Sequence, residues 1–147
     1  MTLSSMVTGL KDTMITTLKG ASDVVTALRD IVKTQVVGGL NDVSDVVEAA
    51  VVSAKDVGTA FVEATKVAVS TAVMAVSDAG GDVMNAVWKS VSGAVMGASE
   101  VGEDLGAAAV TAVEGAIETA GKVGKTTDEA VKMAVGGAVE AADKIGT

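Results

Sequence analysis

TAVMAVSDAGGDV, from Thr71 to Val83, carries a pattern that the chain repeats every 22 residues. The pattern returns as GAVMGASEVGEDL from Gly93, as GAIETAGKVGKTT from Gly115 and as GAVEAADKIGT from Gly137, and AAVVSAKDVGTAF from Ala49 is a further copy. Every copy has a glycine at the same position and a charged residue two positions earlier. A fixed period of this length indicates a repeat protein, whose units bury their apolar faces against one another.

The small and apolar residues of the repeat recur at steps of three and four. One such path runs through Ala72, Val76, Ala79 and Val83 and continues to Val87. A pattern of this kind repeats every 11 residues or so, which is three helical turns, and it keeps the apolar side chains in one stripe along an α-helix. It predicts an all-α fold of long amphipathic helices with hendecad repeats, packed as a coiled coil or a bundle.

A β-solenoid is the alternative fold. Valine and threonine favour strands, the stretch 67–76 partly alternates, and each 22-residue unit could form one rung. The high alanine content and the mixture of three- and four-residue steps favour helices, because a structure with a period of two needs neither.

The glycines of the repeat could either end helices or lie within them, so the sequence does not settle the helix boundaries. Gly58, Gly80, Gly102, Gly124 and Gly146 share one position of the repeat. As C′ residues they would end helices of about 20 residues, whereas as packing residues they would let two helices approach closely. The apolar stripe keeps its phase across the first three of them, which favours continuous helix there and a break at the fourth. Gly80-Gly81 fits either a kink or a turn.

These boundaries predict two regions. An N-terminal cap or diverged repeat covers 1–40 and is interrupted near Gly20 and Gly38-Gly39, and the helical repeat region covers 41–147. The predicted helices cover, in chain order, 3–19, 22–37, 42–122 and 127–145. The residues that fit N-caps are Ser22, Asn41 or Asp42, and Thr126, the last with Glu129 in a capping box.

The composition removes most catalytic and ligand-binding chemistry. The 147 residues include no His and no Cys, and the formal net charge is −8. The chain therefore lacks the usual zinc ligands, the Ser-His-Asp triad and the basic surface that nucleic acid requires. The nearest match to a phosphate-binding loop, 119–126, begins with threonine where the motif needs glycine. We predict no enzyme activity, catalytic residue, cofactor, metal, nucleic acid or small-molecule substrate.

No targeting signal or membrane span is readable in the sequence. The first apolar stretch lacks a basic start and is interrupted by Lys11 and Asp12. The longest uncharged runs, 67–77 and 90–99, are shorter than the roughly 20 residues of a spanning helix. These observations predict a cytoplasmic protein.

The apolar stripe predicts self-association. Ala and Val side chains are small, so at about 25 cal/mol per Å² each contact contributes little, and many close contacts are needed. The charged position of the repeat also changes from acidic, as in Asp56 and Asp78, to basic, as in Lys122 and Lys144, so opposite ends of two copies attract. The residues predicted to form the interface, with the lone tryptophan as an anchor, are Ala72, Val73, Val83, Val87, Trp88, Ala94, Val95, Val101, Leu105, Ala116, Ile117 and Val139.

The amphipathic pattern over 49–146 resembles that of late-embryogenesis-abundant proteins, exchangeable apolipoproteins and synucleins, and its period is similar to that of hendecad coiled coils. The resemblance lies in the periodicity, since the chain lacks the proline breaks and bulky side chains of apolipoproteins and is more apolar than late-embryogenesis proteins. Only GKTTDEAV at 124–131 resembles a synuclein repeat. The pattern predicts a structural, self-assembling protein that forms a homo-oligomeric filament, sheath or coat. The alternative is an amphipathic-helix protein that coats a lipid droplet, a granule or a membrane surface.

Overall fold

Helices follow one another along the chain at the period of the sequence repeat. The computed structural model describes residues 32–34, 36, 42–56 and 61–146. The helices that begin at Phe61, Val83, Leu105 and Thr127 start 22 residues apart, because a helix of 18 residues and a four-residue connection make one unit. In the described part from Asp42 onward the helices are α1 (Val43–Asp56), α2 (Phe61–Asp78), α3 (Val83–Glu100), α4 (Leu105–Lys122) and α5 (Thr127–Ile145).

The connections after α2, α3 and α4 share one backbone design. After α2, the Gly81 N–H donates to the Val76 carbonyl at 2.9 Å and the Gly80 N–H donates to the Ser77 carbonyl at 3.0 Å. These two hydrogen bonds make a Schellman motif, which needs a left-handed residue and therefore favours glycine. The φ angles at this position of the repeat are 76° at Gly80, 74° at Gly102, 85° at Gly124 and 89° at Gly146.

Two residues after each of the first three of these glycines, a side chain caps the next helix. Asp82 Oδ1 accepts a hydrogen bond from the Asn85 N–H at 3.0 Å, and Asp104 has the same role at the start of α4. The Thr126 hydroxyl oxygen accepts from the Glu129 N–H at 3.4 Å, which confirms the predicted N-cap of the last helix. A C′ glycine followed by an N-cap thus forms a complete turn within four residues.

The helices pack in two layers, with α1, α3 and α5 in one layer and α2 and α4 in the other. Each described helix contacts the next one along the chain and also the one after that. Between α1 and α3, Gly93 lies against Ser44 and Gly97 lies against Glu48, and both pairs are separated by 49 positions. Because both partners advance together, alternate helices run parallel, and consecutive helices run antiparallel.

Valine and alanine fill the space between the two layers. Val47, Val69 and Val87 have no exposed surface, and neither does Val32, which belongs to the region predicted to be an N-terminal cap. All four belong to one hydrophobic cluster, so the described part of 1–40 contributes to the core of the repeat region.

The all-α prediction is confirmed for the described residues, which contain no strand, and the β-solenoid alternative is wrong for them. The predicted long helix over 42–122 is also wrong, because α1 to α4 occupy this range and reverse direction at 79–82 and 101–104. Gly102, predicted to lie within continuous helix, is a C′ residue. At Gly80-Gly81, for which the sequence left a kink or a turn open, the structure has a turn with Gly80 as the C′ residue. Because 22 residues correspond to about six helical turns, the apolar positions of one helix recur at the same angular position in the next unit. The sequence pattern therefore looks continuous even though the helix ends.

The predicted last helix agrees with α5, and the predicted break at Gly124 is confirmed. The N-cap at Asp42 is confirmed as well, since its Oδ1 accepts from the Ser44 N–H at 2.8 Å. In the described ranges, no helix combines the length and the hydropathy needed to cross a bilayer. The predictions that lie outside the described residues are the helix over 3–19, the caps Ser22 and Asn41, and the glycines Gly20, Gly38, Gly39 and Gly58.

Candidate functional site

The outer face of α5 carries a row of exposed valines. Val131, Val135 and Val139 follow one another at four-residue spacing, which places them on the same side of the helix. Their side chains are 38%, 47% and 55% exposed. We call these three residues the α5 stripe.

The same three positions of the repeat become more exposed from one helix to the next. They are buried in α2, which has three described helices after it, and in α3, which has two. They are half-buried in α4, which only α5 follows, and exposed in α5. The positions are, in chain order, Thr65, Val69 and Val73; Val87, Val91 and Val95; Ala109, Val113 and Ile117; and the α5 stripe. The exposure of this face therefore increases as fewer described helices follow in the stack, and it is greatest on α5.

A groove of about 730 Å³ runs along the α5 stripe beside Trp88 of α3. The indole ring packs on Gly136, where an added Cβ would lie 2.1 Å from the ring, and the indole N–H donates a hydrogen bond to Glu140. Glu140 also forms an ion pair with Lys144 at 3.1 Å. The groove thus combines an apolar floor with charged side chains along one edge, which include Lys132 and Asp143.

The hydrogen bond from Trp88 is the main electrostatic influence on Glu140. It lowers the pKa of the Glu140 carboxyl below its ordinary value, and the ion pair with Lys144 acts in the same direction. Glu140 is therefore ionised at neutral pH, and the Trp88 edge of the groove carries a fixed negative charge between Lys132 and Lys144.

A buried carboxyl group lies at the contact between α1 and α3. Glu48 is 5% exposed, and its Oε2 atom has no hydrogen-bond partner. Burial, followed by the hydrogen bond with Glu100 and the negative charges of Glu100 and Asp45, raises the pKa of Glu48 to about 8. Glu48 is thus protonated at neutral pH and donates its O–H to Glu100. Among the described residues, no three acidic, His or Cys side chains are grouped so that they could hold a metal ion.

A smaller cavity of about 190 Å³ lies between α2 and α4. The hydroxyl groups of Ser70 and Thr119, which line it, form hydrogen bonds within the chain. Thr119 donates to the Gly115 carbonyl at 2.8 Å, so the Ser70 hydroxyl donates to Thr119, also at 2.8 Å. The nearby sequence that is similar to a phosphate-binding loop contains a helix end and a helix start, with Gly124 as C′ residue and Thr126 as N-cap. Neither feature needs a ligand to explain it.

The structure places most of the predicted interface residues inside one chain. The side chains buried among helices of the same chain are Ala72, Val73, Val83, Val87, Ala94, Val95 and Ala116. The half-buried ones are Trp88, Val101, Leu105 and Ile117, and Val139 is exposed. Val131 and Val135, which share the exposed face with Val139, were not among the predicted residues. Their signal in the sequence is their repeat position, which they share with Val87 and Val91 of α3.

Comparison with known protein families finds no family model that matches this chain, and comparison with curated protein sequences finds no match.

Proposed function

We propose that this chain is a structural protein that self-associates by adding helices of neighbouring copies to its own stack. The observation that carries the proposal is the graded exposure of one repeat position, which is buried in α2 and α3 and exposed in the α5 stripe. This position is buried in α2 and α3, which three and two described helices follow. A helix of the same chemistry from another copy is therefore the natural cover for α5.

The prediction of self-association through Ala, Gly and Val faces is retained, but the location changes. Since seven of the twelve predicted side chains are buried within one chain, contact between copies is assigned to the exposed face of α5. Assembly into a filament, sheath or coat requires a second contact elsewhere on the chain, whereas the α5 stripe alone supports a limited oligomer.

Sedimentation velocity of the purified protein, from about 1 µM to about 500 µM, tests the proposal. We expect the sedimentation coefficient to rise with concentration, and we expect Val135→Lys to shift the onset to higher concentration. Val62→Lys is the matched control, because Val62 is 54% exposed on α2 and lies outside the α5 stripe. A wild-type protein that stays monomeric over the whole range would contradict the proposal.

The same samples separate self-association from lipid binding. The chain contains a single tryptophan, and Trp88 lies in the groove beside the α5 stripe, so its emission reports what covers this face. We expect vesicles of neutral phospholipid to leave the emission and the helicity unchanged. A blue shift with vesicles, in a protein that is monomeric without them, would instead support the lipid-coating alternative.

A further inference from the structure

Glu48 lies where α1 packs most closely on α3. Its side chain is 5% exposed, and its backbone carbonyl oxygen lies 3.2 Å from the place where a Cβ atom of Gly97 would be. The Glu48 carboxyl group forms a hydrogen bond with Glu100 of α3, and its Oε2 atom has no partner. A proton on Glu48 allows the two carboxyl groups to lie together, because two ionised carboxylates in hydrogen-bonding contact repel each other.

The charges around Glu48 oppose its ionised form. Asp45 of α1 and Glu100 of α3 are negative, and the positive group that acts on it, Lys144 of α5, forms an ion pair with Glu140 at 3.1 Å. The charged residues of α2, which also packs on α1, are all exposed: Glu63, Lys66 and Asp78. Ionised Glu48 is therefore best accommodated in water, which it reaches when α1 leaves α3.

The contacts of α1 can be broken without breaking those among the later helices. Within the described part of the chain, α1 contacts α2 and α3, whereas α2, α3, α4 and α5 are joined to one another by contacts that do not involve α1. In a stack of repeats each unit is stabilised mainly by its neighbours, so one helix can open while the others stay packed.

We infer that α1 is a pH-sensitive element, which detaches from α3 when Glu48 loses its proton to solvent. The inference does not depend on the proposed self-association. The pKa of Glu48 is about 8 in the stack against an ordinary value of 4.5, so each opening of α1 between these pH values releases a proton. The equilibrium constant for opening should therefore rise about tenfold per pH unit over this range and level off above it.

Native-state hydrogen exchange tests the inference in the intact protein, from about pH 5.5 to about pH 7.5 and at a concentration below the onset of association. The rates are corrected for the intrinsic pH dependence of amide exchange. Amides of α1, such as that of Val51, should have a larger opening constant than amides of α4, such as that of Ala116, and the α1 constant should rise about tenfold per pH unit. Glu48→Gln should remove this rise, and Glu114→Gln, on the exposed side of α4, is the matched control that should retain it.

The outcomes distinguish release of α1 from unfolding of the whole protein. Equal opening constants for α1 and α4 at every pH would show that the helices open together and would overturn the inference. An α1 constant that is independent of pH in the wild type, or that still rises in Glu48→Gln, would overturn the role of Glu48. Glu100→Gln is a second variant: without this negative neighbour Glu48 ionises more easily in the stack, so the rise should level off at a lower pH. Circular dichroism of each variant verifies that it is folded.

Discussion

Gly137 of α5 lies directly against the backbone of Trp88 in α3. A Cβ atom on Gly137 would be 2.3 Å from the Trp88 carbonyl oxygen, a distance that no side chain can occupy. Gly93 has the same relationship with Ser44, where the corresponding distance is 2.2 Å. In both cases the glycine and its partner are 49 positions apart, so a close approach of alternate parallel helices requires glycine at these two copies of the repeat.

Gly137→Ala should therefore destabilise the protein by about 3 kcal/mol, because the backbone of α3 or α5 must move to admit the methyl group. Gly115→Ala is the matched control at the same repeat position, since its Cβ would be 3.8 Å from Lys66, an ordinary contact. The control should be neutral or more stable by up to about 1 kcal/mol, the helix-propensity gain of alanine. Urea unfolding followed by circular dichroism measures both, and equal losses for the two variants would contradict the close-approach argument.

The turn glycines act through their backbone conformation. Gly102 has a φ of 74°, and no atom lies within 4 Å of the place where its Cβ would be. Gly102→Ala should cost about 1–2 kcal/mol through strain alone, and Gly102→Asn should cost less because asparagine tolerates this conformation. Gly121→Ala, in open space within α4, should gain up to about 1 kcal/mol. If Gly102→Ala instead unfolds as wild type does in urea, the Schellman turn at this site does not constrain stability.

The sequence was sufficient to predict the helical class, the bounds of α5 and the cap at Thr126, because local signals determine each of them. It was not sufficient to locate the breaks at Gly80 and Gly102. A glycine inside a packed helix and a C′ glycine that ends a helix can occupy the same position of the repeat. Because the unit corresponds to about six helical turns, the apolar stripe has the same phase in both cases. The two possibilities differ in tertiary contacts, which periodicity does not encode.

The candidate site was predictable only in part for a related reason. Val91 and Val135 occupy the same position of the repeat, yet Val91 is fully buried and Val135 is 47% exposed. The difference depends on how many helices follow in the stack, which no local pattern records. Glu48 is a similar case, because it is an ordinary acidic residue in the sequence and is buried only where α1 meets Gly97 and Glu100 of α3.

The buried Glu48 should make stability depend on pH. Its pKa rises from 4.5 to about 8 on folding, so the folded protein retains a proton that the unfolded chain releases. This proton is bound in both states below pH 4.5, and the contribution of Glu48 to stability therefore falls as the pH increases from 4.5 to about 8. Glu48→Gln keeps the shape and can donate its amide N–H to Glu100, so it should raise stability by up to about 3 kcal/mol near neutral pH.

Urea unfolding of wild type and Glu48→Gln across this pH range checks the expectation. The two proteins should differ least at the acidic end and most at the alkaline end. Glu114→Gln, on the exposed side of α4, is the control and should follow the wild-type profile. Parallel profiles for wild type and Glu48→Gln would show that Glu48 ionises in the folded protein as easily as in the unfolded chain.

The hydrogen bond from Trp88 to Glu140 should stabilise the contact between α3 and α5 when Glu140 is ionised. The pKa of Glu140 is lowered from 4.5, so its contribution is present above pH 4.5 and is lost as the pH falls through the lower, folded-state value. Trp88→Phe removes the indole N–H donor and keeps an aromatic ring against Gly136.

A double-mutant cycle of Trp88→Phe with Glu140→Gln separates the hydrogen bond from the loss of ring packing. We expect a coupling free energy of about 1 kcal/mol near neutral pH, less than a fully buried charged hydrogen bond contributes, because water partly screens Glu140. The coupling should decrease at acidic pH, where Glu140 becomes protonated. Circular dichroism in urea measures all four proteins, since the two proteins that carry Trp88→Phe lack tryptophan fluorescence. If Trp88→Phe destabilises the wild-type and Glu140→Gln backgrounds equally, Trp88 contributes to this contact by packing alone.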